Sequence, residues 1–412
     1  MKICIFTLGC KVNASESESL ARGLKEAGHE VTEKLEKADL YIVNTCAVTA
    51  EAEKKSRQTA ARIAALAPEA EIIYTGCACQ KDPDPFAHKK NARLVTGVFD
   101  KGEILSLLGA RGVKIAPERK SYEELLPPDT AKARHYVKVQ DGCDNFCSYC
   151  IIPYLRGRSR SRPPESVKRE IENAACAEVV LGGINLSAYR YQGCGLTGLM
   201  RLLKDTDKRV RLGSLEVNVI DGEFLSALAE MRNFAPHFHL SLQSGSDEVL
   251  KAMNRRYTAA EYLGKVELIR SFFPRAGVTT DIIAGFPSET EKNFEETLAL
   301  VRAAAFSDIH CFPYSPRSGT AAFSMKDLPA AVKKERTERL LAEKKICREN
   351  FARKNFGERE KVVAEERDGE FVSGYTGNYL RAYLKEPLLC GEIPVIIKES
   401  FRDGVLAERC GG

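Results

Sequence analysis

No stretch of this chain comes near the ~18 consecutive apolar residues that a membrane span requires. The apolar runs are short, such as Ile151-Ile152-Pro153, or Val278 to Phe286, which has Thr279, Thr280 and Asp281 inside it. The start, Met1-Lys2-Ile3-Cys4 leading through Gly9-Cys10 into polar sequence, lacks the apolar core of a secretory signal. A cytoplasmic protein without membrane partners is therefore expected. Charge of one sign is scarce too. The 62 basic residues against 57 acidic ones leave +5, too mild an excess to demand or exclude a nucleic-acid partner. Glycine and proline, 30 and 17 in 412 residues, are too few for a collagenous or low-complexity chain. That length predicts about two to four domains.

Cysteine is the exception. There are 14, many for a reducing compartment, where clustered thiols read as metal-binding or catalytic rather than as disulfides. Six fall into two sets of three. The other eight (Cys4, Cys79, Cys176, Cys194, Cys311, Cys347, Cys390, Cys410) are scattered and read as small core hydrophobes.

Residues 1–115 alternate strand and helix: apolar strands at 2–8, 40–43, 72–74 and 94–95, with helices at about 15–28 and 49–66. Such alternation predicts an α/β domain with a parallel sheet. Residues 116–130, with Pro117 and Pro127-Pro128 among charges, read as a linker. From Tyr136 the alternation restarts, with strands expected at 137–140, 179–182, 210–215, 237–242, 279–283 and 308–312. Six strand–helix repeats make a partial or complete (β/α) barrel with ligands at the carboxyl ends of its strands. Residues 330–356 form a charged helix with Leu340, Cys347 and Phe351 on one stripe. Five short alternating segments follow, punctuated by Asp368-Gly369 and Asp403-Gly404. These predict a small antiparallel β-barrel of the size that binds nucleic acid or caps another domain.

The first cysteine set shares one context. Cys10, Cys46 and Cys77 each follow the end of a predicted parallel strand, in IFTLGC, YIVNTC and IIYTGC. Carboxyl ends of parallel strands lie along one edge, so the three thiols would converge there. Gly9 and Gly76 would let the backbone approach something bulky. Three cysteinates can hold a 4Fe–4S cluster with one iron open, or a zinc with an open position; the alternative is three buried thiols. Cys79, two residues after Cys77, either competes as a ligand or is a passive neighbour. The second set, Cys143, Cys147 and Cys150, is a C-x3-C-x2-C run after the first barrel strand. That spacing puts three thiolates around one centre. A zinc site would want a fourth ligand nearby; the nearest downstream cysteine is Cys176, and His135 lies upstream of the strand.

This run resembles the radical S-adenosylmethionine superfamily. The resemblance implies that three thiolates hold a 4Fe–4S cluster whose open iron chelates the cofactor. It places Gly182 and Gly183, Glu216 and Gln243, at the ends of the second, third and fourth strands, as cofactor contacts, with the segment from Asp281 to Pro287 ending the fifth. The whole chain is similar to the methylthiotransferase family, through LGCKVN (8–13), VNTCAVT (43–49), TGCACQ (75–80), DGCDNFCSYCIIPYLRGRSRSRP (141–163), LSLQSGSDEVLKAMNRRYT (240–258), DIIAGFPSETEKNFEET (281–297) and FPYSPRSGT (312–320). The resemblance implies an amino-terminal domain over 1–115 with a second 4Fe–4S cluster, a radical core over 130–356, and a terminal TRAM barrel over 357–412. It further implies S-adenosyl-L-methionine used twice, as radical source and as methyl donor, and an electron donor of flavodoxin or ferredoxin type.

Lys11-Val12 and the RGRSRSR run resemble the branch acting on N6-threonylcarbamoyladenosine at position 37 of tRNA. The branches acting on isopentenyladenosine or on a ribosomal-protein aspartate are the runners-up. A base in a single-stranded anticodon loop can enter a pocket without opening a duplex. Arg156, Arg158, Arg160 and Arg162 then read as phosphate contacts, with the 357–412 barrel gripping the RNA further along. Arg255-Arg256 would pair with Glu248 or Glu261. Val217, Ser288 and Cys79 stand where the family usually has proline, glycine and alanine. A zinc-stabilised RNA-binding protein and a two-cluster electron carrier are the rival classes.

Overall fold

The structure is a computed structural model that describes residues 1–128, 132–386 and 391–411. Cys390, the last two linker positions, Thr130 as a domain start and Gly412 lie outside the described residues. The chain divides into two compact units. The first comprises 1–130, 140–162 and 315–323; the second comprises 131–139, 163–314 and 324–412. The cysteine loop at 143–150 thus belongs with the amino-terminal sheet.

The first unit is built on a six-stranded sheet. Its strands run in the spatial order Glu30–Thr32, Lys2–Thr7, Leu40–Thr45, Glu71–Gly76, Ala92–Thr96 and Gly112–Lys114, all parallel. The two outer strands were not expected from the sequence; each is three residues long, too short for its alternation to register. The central strands are apolar throughout because both faces are covered. Ile3, Ile5, Leu40, Ile42, Ile73 and Leu94 share one core with Ala21 and Leu24 of helix Lys11–Glu26. Tyr41, Val43, Ile72, Tyr74 and Val95 share the opposite core with Ile63 of helix Ala50–Leu66. Ile151 and Leu155, which follow the second cysteine set, belong to that second core as well.

In the second unit six parallel strands follow one another in chain order. Arg134–Lys138, Glu178–Gly182 and Arg209–Leu212 form one sheet; Ser214–Leu215, His237–Leu240, Gly277–Ala284 and Asp308–Pro313 form the next. The third expected strand is thus broken at Gly213. Helices such as Pro164–Asn173, Ala259–Phe272 and Glu291–Ala304 lie between the strands. Thr258 and Thr290 each cap the following helix by accepting from the backbone N–H three residues on, which tells the chain where those helices begin. Helix Ala330–Lys354 follows, with Leu340 and Cys347 buried in the barrel core.

Five further strands, Arg359–Asp368, Phe371–Tyr375, Arg381–Leu384, Glu392–Phe401 and Gly404–Arg409, close into a small barrel around Val362, Val372, Leu384, Val395 and Val405. It plugs the amino-terminal end of the six parallel strands. Arg209 donates to the Lys361 and Tyr375 carbonyls at 2.9 and 3.0 Å, and Arg211 to those of Gly377 and Thr376, each at 2.9 Å. His237, the first residue of its strand, stacks on Tyr379 with centroids 4.3 Å apart. The expected candidate cofactor contacts sit at the other ends of the same strands.

Candidate active site

Both three-cysteine sets lie in the first unit. Cys10 immediately precedes helix Lys11–Glu26, Cys46 directly follows strand Leu40–Thr45, and Cys77 directly follows strand Glu71–Gly76. Those strands are parallel neighbours in register, Thr7 beside Asn44 and Thr45 beside Gly76, so the thiols issue from one sheet edge. Gly9 is in the left-handed region at φ +96°, and a Cβ there would fall 2.4 Å from Cys46 Sγ. The bulky thing the glycine admits is therefore the neighbouring cysteine. Burial pushes the Cys46 thiol up to about 11, and Cys77 and Cys10 push the same way. A thiol so placed stays protonated at neutral pH until a metal displaces the proton.

Cys79 lies in the core with Tyr41 and Tyr74, and burial pushes it up to about 12. The Thr45 hydroxyl sits 3.5 Å from its sulfur. Its surroundings are those of a core side chain.

The second set rides on a loop closed at its base. Gln140–Asp141 pairs antiparallel with Arg160–Ser161, the Cys143 N–H donates to Gly157 O at 3.0 Å, and the Cys150 N–H donates to Cys147 O at 2.9 Å. Cys147 is buried, while Cys143 and Cys150 are half-buried. Phe146 takes φ +47°, a left-handed turn that folds the loop between its first two cysteines. Three thiols on one closed loop suit a metal cluster with an open position better than a four-ligand zinc.

The four other expected contacts lie at the carboxyl ends of three strands in the second unit. Gly182 ends strand Glu178–Gly182, and a Cβ on it would meet the Tyr136 hydroxyl at 2.1 Å; Gly183 follows it. Glu216 follows strand Ser214–Leu215, and its carboxylate accepts from Arg255 Nη1 at 3.0 Å. That corrects the expected pairing of Arg255: Glu248 instead accepts from Asn293 Nδ2 at 2.8 Å, and Glu261 completes the cap of its own helix. Gln243 holds φ +70°, its N–H bonded to Asp281 O at 2.8 Å and its carbonyl to the Ile283 N–H at 2.9 Å.

Sequence reasoning missed a polar cluster in the same unit. Asp281 lies between His239 Nε2 and His310 Nδ1, each at 3.2 Å, on three adjacent strands. Burial pushes the Asp281 carboxyl up, but hydrogen bonds to His239 and His310 win and hold it well below the usual carboxylate range. The signal was present: Asp281 is the one charged residue in its strand, and His239 and His310 stand on the strands beside it.

The arginine run corrects another expectation. Arg156 is 1% exposed, and Arg160 and Arg162 are buried as well. Arg156 Nη1 meets Glu16 at 2.9 Å and Asp141 at 3.1 Å, and Nη2 meets Asn13 at 2.8 Å. Arg160 donates to the carbonyls of Arg156 and Arg158, both at 2.9 Å. A guanidinium inside the protein with its donors committed to the fold does not reach a phosphate. Only Arg158 keeps an exposed side chain, over Phe146 at 5.1 Å and beside Asp144 at 3.2 Å. The partners of Arg156 were legible in principle, since Asn13 and Glu16 are polar residues three apart on the inner face of helix Lys11–Glu26. Asn13 also donates to the Leu8 and Thr45 carbonyls at 2.9 and 3.0 Å, tying together the chain segments that carry Cys10 and Cys46.

Residues 137–301 match the Radical SAM superfamily, and residues 2–97 match Uncharacterized protein family UPF0004. The Thermotoga maritima threonylcarbamoyladenosine tRNA methylthiotransferase MtaB is 37% identical, with 98% of this chain and 96% of that one covered. The Bacillus subtilis protein of the same name is 35% identical, covering 93% and 90%. A tRNA-2-methylthio-N(6)-dimethylallyladenosine synthase from Desulfitobacterium hafniense is 35% identical over 82% of this chain and 81% of its own. Among solved structures, the radical S-adenosylmethionine methyltransferase TsrM from Kitasatospora setae superposes with a TM-score of 0.57 at 15% identity, covering 78% of this chain and 77% of that one, a likeness of fold. With relatives of 35–37% identity that cover nine tenths or more of its length, the chain belongs to the radical S-adenosylmethionine methylthiotransferase family.

Proposed function

We propose that this chain transfers a methylthio group to C2 of N6-threonylcarbamoyladenosine at position 37 of tRNA. The carrying observation is the pair of three-thiol sites, one on a closed loop and one on a sheet edge. Cys143, Cys147 and Cys150 would hold one 4Fe–4S cluster, and Cys10, Cys46 and Cys77 the other. When bound, the clusters and S-adenosyl-L-methionine supply the radical, the sulfur and the methyl group. The chain's own residues do the rest. The 140–161 hairpin fixes the loop thiols around one centre. Gly182, Gly183, Glu216 and Gln243 offer backbone and side-chain polar atoms at the strand ends for the cofactor, with Arg255 orienting Glu216. A cytoplasmic location, a flavodoxin- or ferredoxin-like electron donor and the division into 1–115, 130–356 and 357–412 complete the reading. No helix among the described residues is long and apolar enough to cross a membrane.

For RNA contact, Arg158 remains from the basic run. A groove of about 460 Å³ beside the small barrel offers Lys344, Lys345, Arg348, Arg381 and Arg402 with Tyr375. Cations interleaved with an aromatic ring suit a phosphate backbone and its bases. Nucleoside mass spectrometry of tRNA from cells with and without the gene tests the substrate. Loss of the 2-methylthio form of threonylcarbamoyladenosine is expected. Loss of the 2-methylthio form of the dimethylallyl nucleoside would instead favour the second reading, which the D. hafniense relative supports.

A further inference from the structure

Arg156 is the largest fully buried side chain among the described residues, and its two edges differ. Both Nη atoms are spoken for by Glu16, Asp141 and Asn13. Lys101 also bonds Glu16, and Arg160 lies 3.8 Å from Asp141, so three cations share two carboxylates in one network. The Nε–H, equally buried, finds no acceptor. Leaving such a donor unmet costs roughly 1–3 kcal/mol, and a buried orphan donor in an otherwise satisfied network calls for an explanation.

The surroundings supply one. The turn Ile152–Arg156 packs through Leu155 into the core that contains Cys77 and Ala78. Asn13, which Arg156 clamps, ties the segments leading to Cys10 and Cys46. The guanidinium is within electrostatic reach of both Cys46 and Cys77. The acids lie against the Nη edge, which leaves the Nε edge as the one without an acceptor.

We infer that Arg156 is a positioning residue for the amino-terminal cluster: its Nε–H donates to a sulfur of the Cys10/Cys46/Cys77 site and its charge raises that cluster's reduction potential. Hydrogen bonds to sulfur and local charge are the protein's means of setting such potentials. Arg156 follows Cys150 by six residues, so one short segment carries a ligand of the loop cluster and the tuning cation of the other. The inference rests on the two-cluster reading above.

The test uses the full-length chain with Cys143, Cys147 and Cys150 replaced by Ala, reconstituted so that only the amino-terminal cluster forms. An EPR-monitored redox titration of this protein is compared with its Arg156→Gln and Arg156→Lys derivatives. Arg156→Gln is expected to lower the midpoint enough to change the reduced-to-oxidised ratio at least tenfold, about 59 mV for one electron. Arg156→Lys, which keeps the charge and loses the Nε donor, should shift it less. Loss of the cation beside Glu16 and Asp141 could unfold the first variant, so a second measurement uses only the parent and Arg156→Lys, which keeps that cation. With guanidino-15N arginine incorporated, the reduced cluster should show a weak 15N hyperfine coupling that Arg156→Lys abolishes. About four irons per chain with no 15N coupling, or with unchanged potentials in both variants, overturns the inference alone. Failure of the triple-alanine chain to bind iron at all overturns the two-cluster reading and the inference with it.

Discussion

At Ser288 the backbone sits at φ +76°, where an L-residue pays roughly 1–2 kcal/mol and glycine does not. That is the physical content of the family's usual glycine at this position. Ser288→Gly should raise stability by about 0.5–1 kcal/mol after glycine's own entropic cost is counted, seen as a higher Tm; an unchanged or lower Tm would refute it. Cysteines can be separated in the same way. Cys46→Ala is expected to remove one cluster, about four irons per chain, and to abolish methylthio product while reductive cofactor cleavage survives. Cys79→Ala should keep both clusters, because its sulfur sits among Tyr41 and Tyr74 in the core. Iron analysis of the two variants side by side decides it, and loss of a cluster from Cys79→Ala would place that thiol in the ligand set. The six cysteine positions were legible because spacing and strand ends are written in sequence. The roles of Arg156, Arg160 and Arg162 were not, because a basic run looks the same whether its partners are phosphates or buried carboxylates brought in from 140 residues away.

Among the elements, the strands were read from apolar runs and their bounds moved by a few residues at most, as at Asp308–Pro313, expected at 308–312. Helix Ala330–Lys354 shows how little apolar surface suffices: it is charged over most of its length and docks through Leu340 and Cys347. Its contact with strand Asp308–Pro313 has a pH consequence. Burial pushes the Cys311 thiol up to about 12 and that of Cys347 up to about 11. An unfolded cysteine titrates near ~8.5, so the folded state holds these protons longer. The stability this represents is present below pH ~8.5 and is lost as pH rises from there toward about 11. Denaturant midpoints should therefore fall over that range, and more shallowly in the double variant Cys311→Ala, Cys347→Ala. An identical slope in both proteins would show that these two thiols do not carry the effect.

On the scale of the whole second unit, the small barrel is where the sequence reading and the structure part. Five short strands were legible from alternation and turn dipeptides; where they dock was not, since docking depends on the ends of strands far away in the chain. The barrel reads as a plug, and the chemistry of the seam says why it is needed. Glu178 is fully buried between Arg209 at 2.5 Å and Arg211 at 2.8 Å. The remaining donors of both arginines are met by barrel carbonyls at Lys361, Tyr375, Thr376 and Gly377. Truncation after residue 356 would strip those acceptors and bare the strand starts, so it should do more than weaken RNA binding. The truncated chain is expected to lose its cooperative thermal transition or to melt well below the full chain, with faster hydrogen exchange at 134–138, 178–182 and 209–212. Arg211→Met in the full chain isolates one part of the seam. It leaves Glu178 with less compensation and the Thr376 and Gly377 carbonyls without their donor, a loss on the order of 3–5 kcal/mol. Iron content should stay the same, because both cysteine sets belong to the first unit and the seam to the second. A truncated protein as stable as the intact one, or an Arg211→Met variant with an unchanged denaturant midpoint, would return the barrel to the status of a detachable RNA grip.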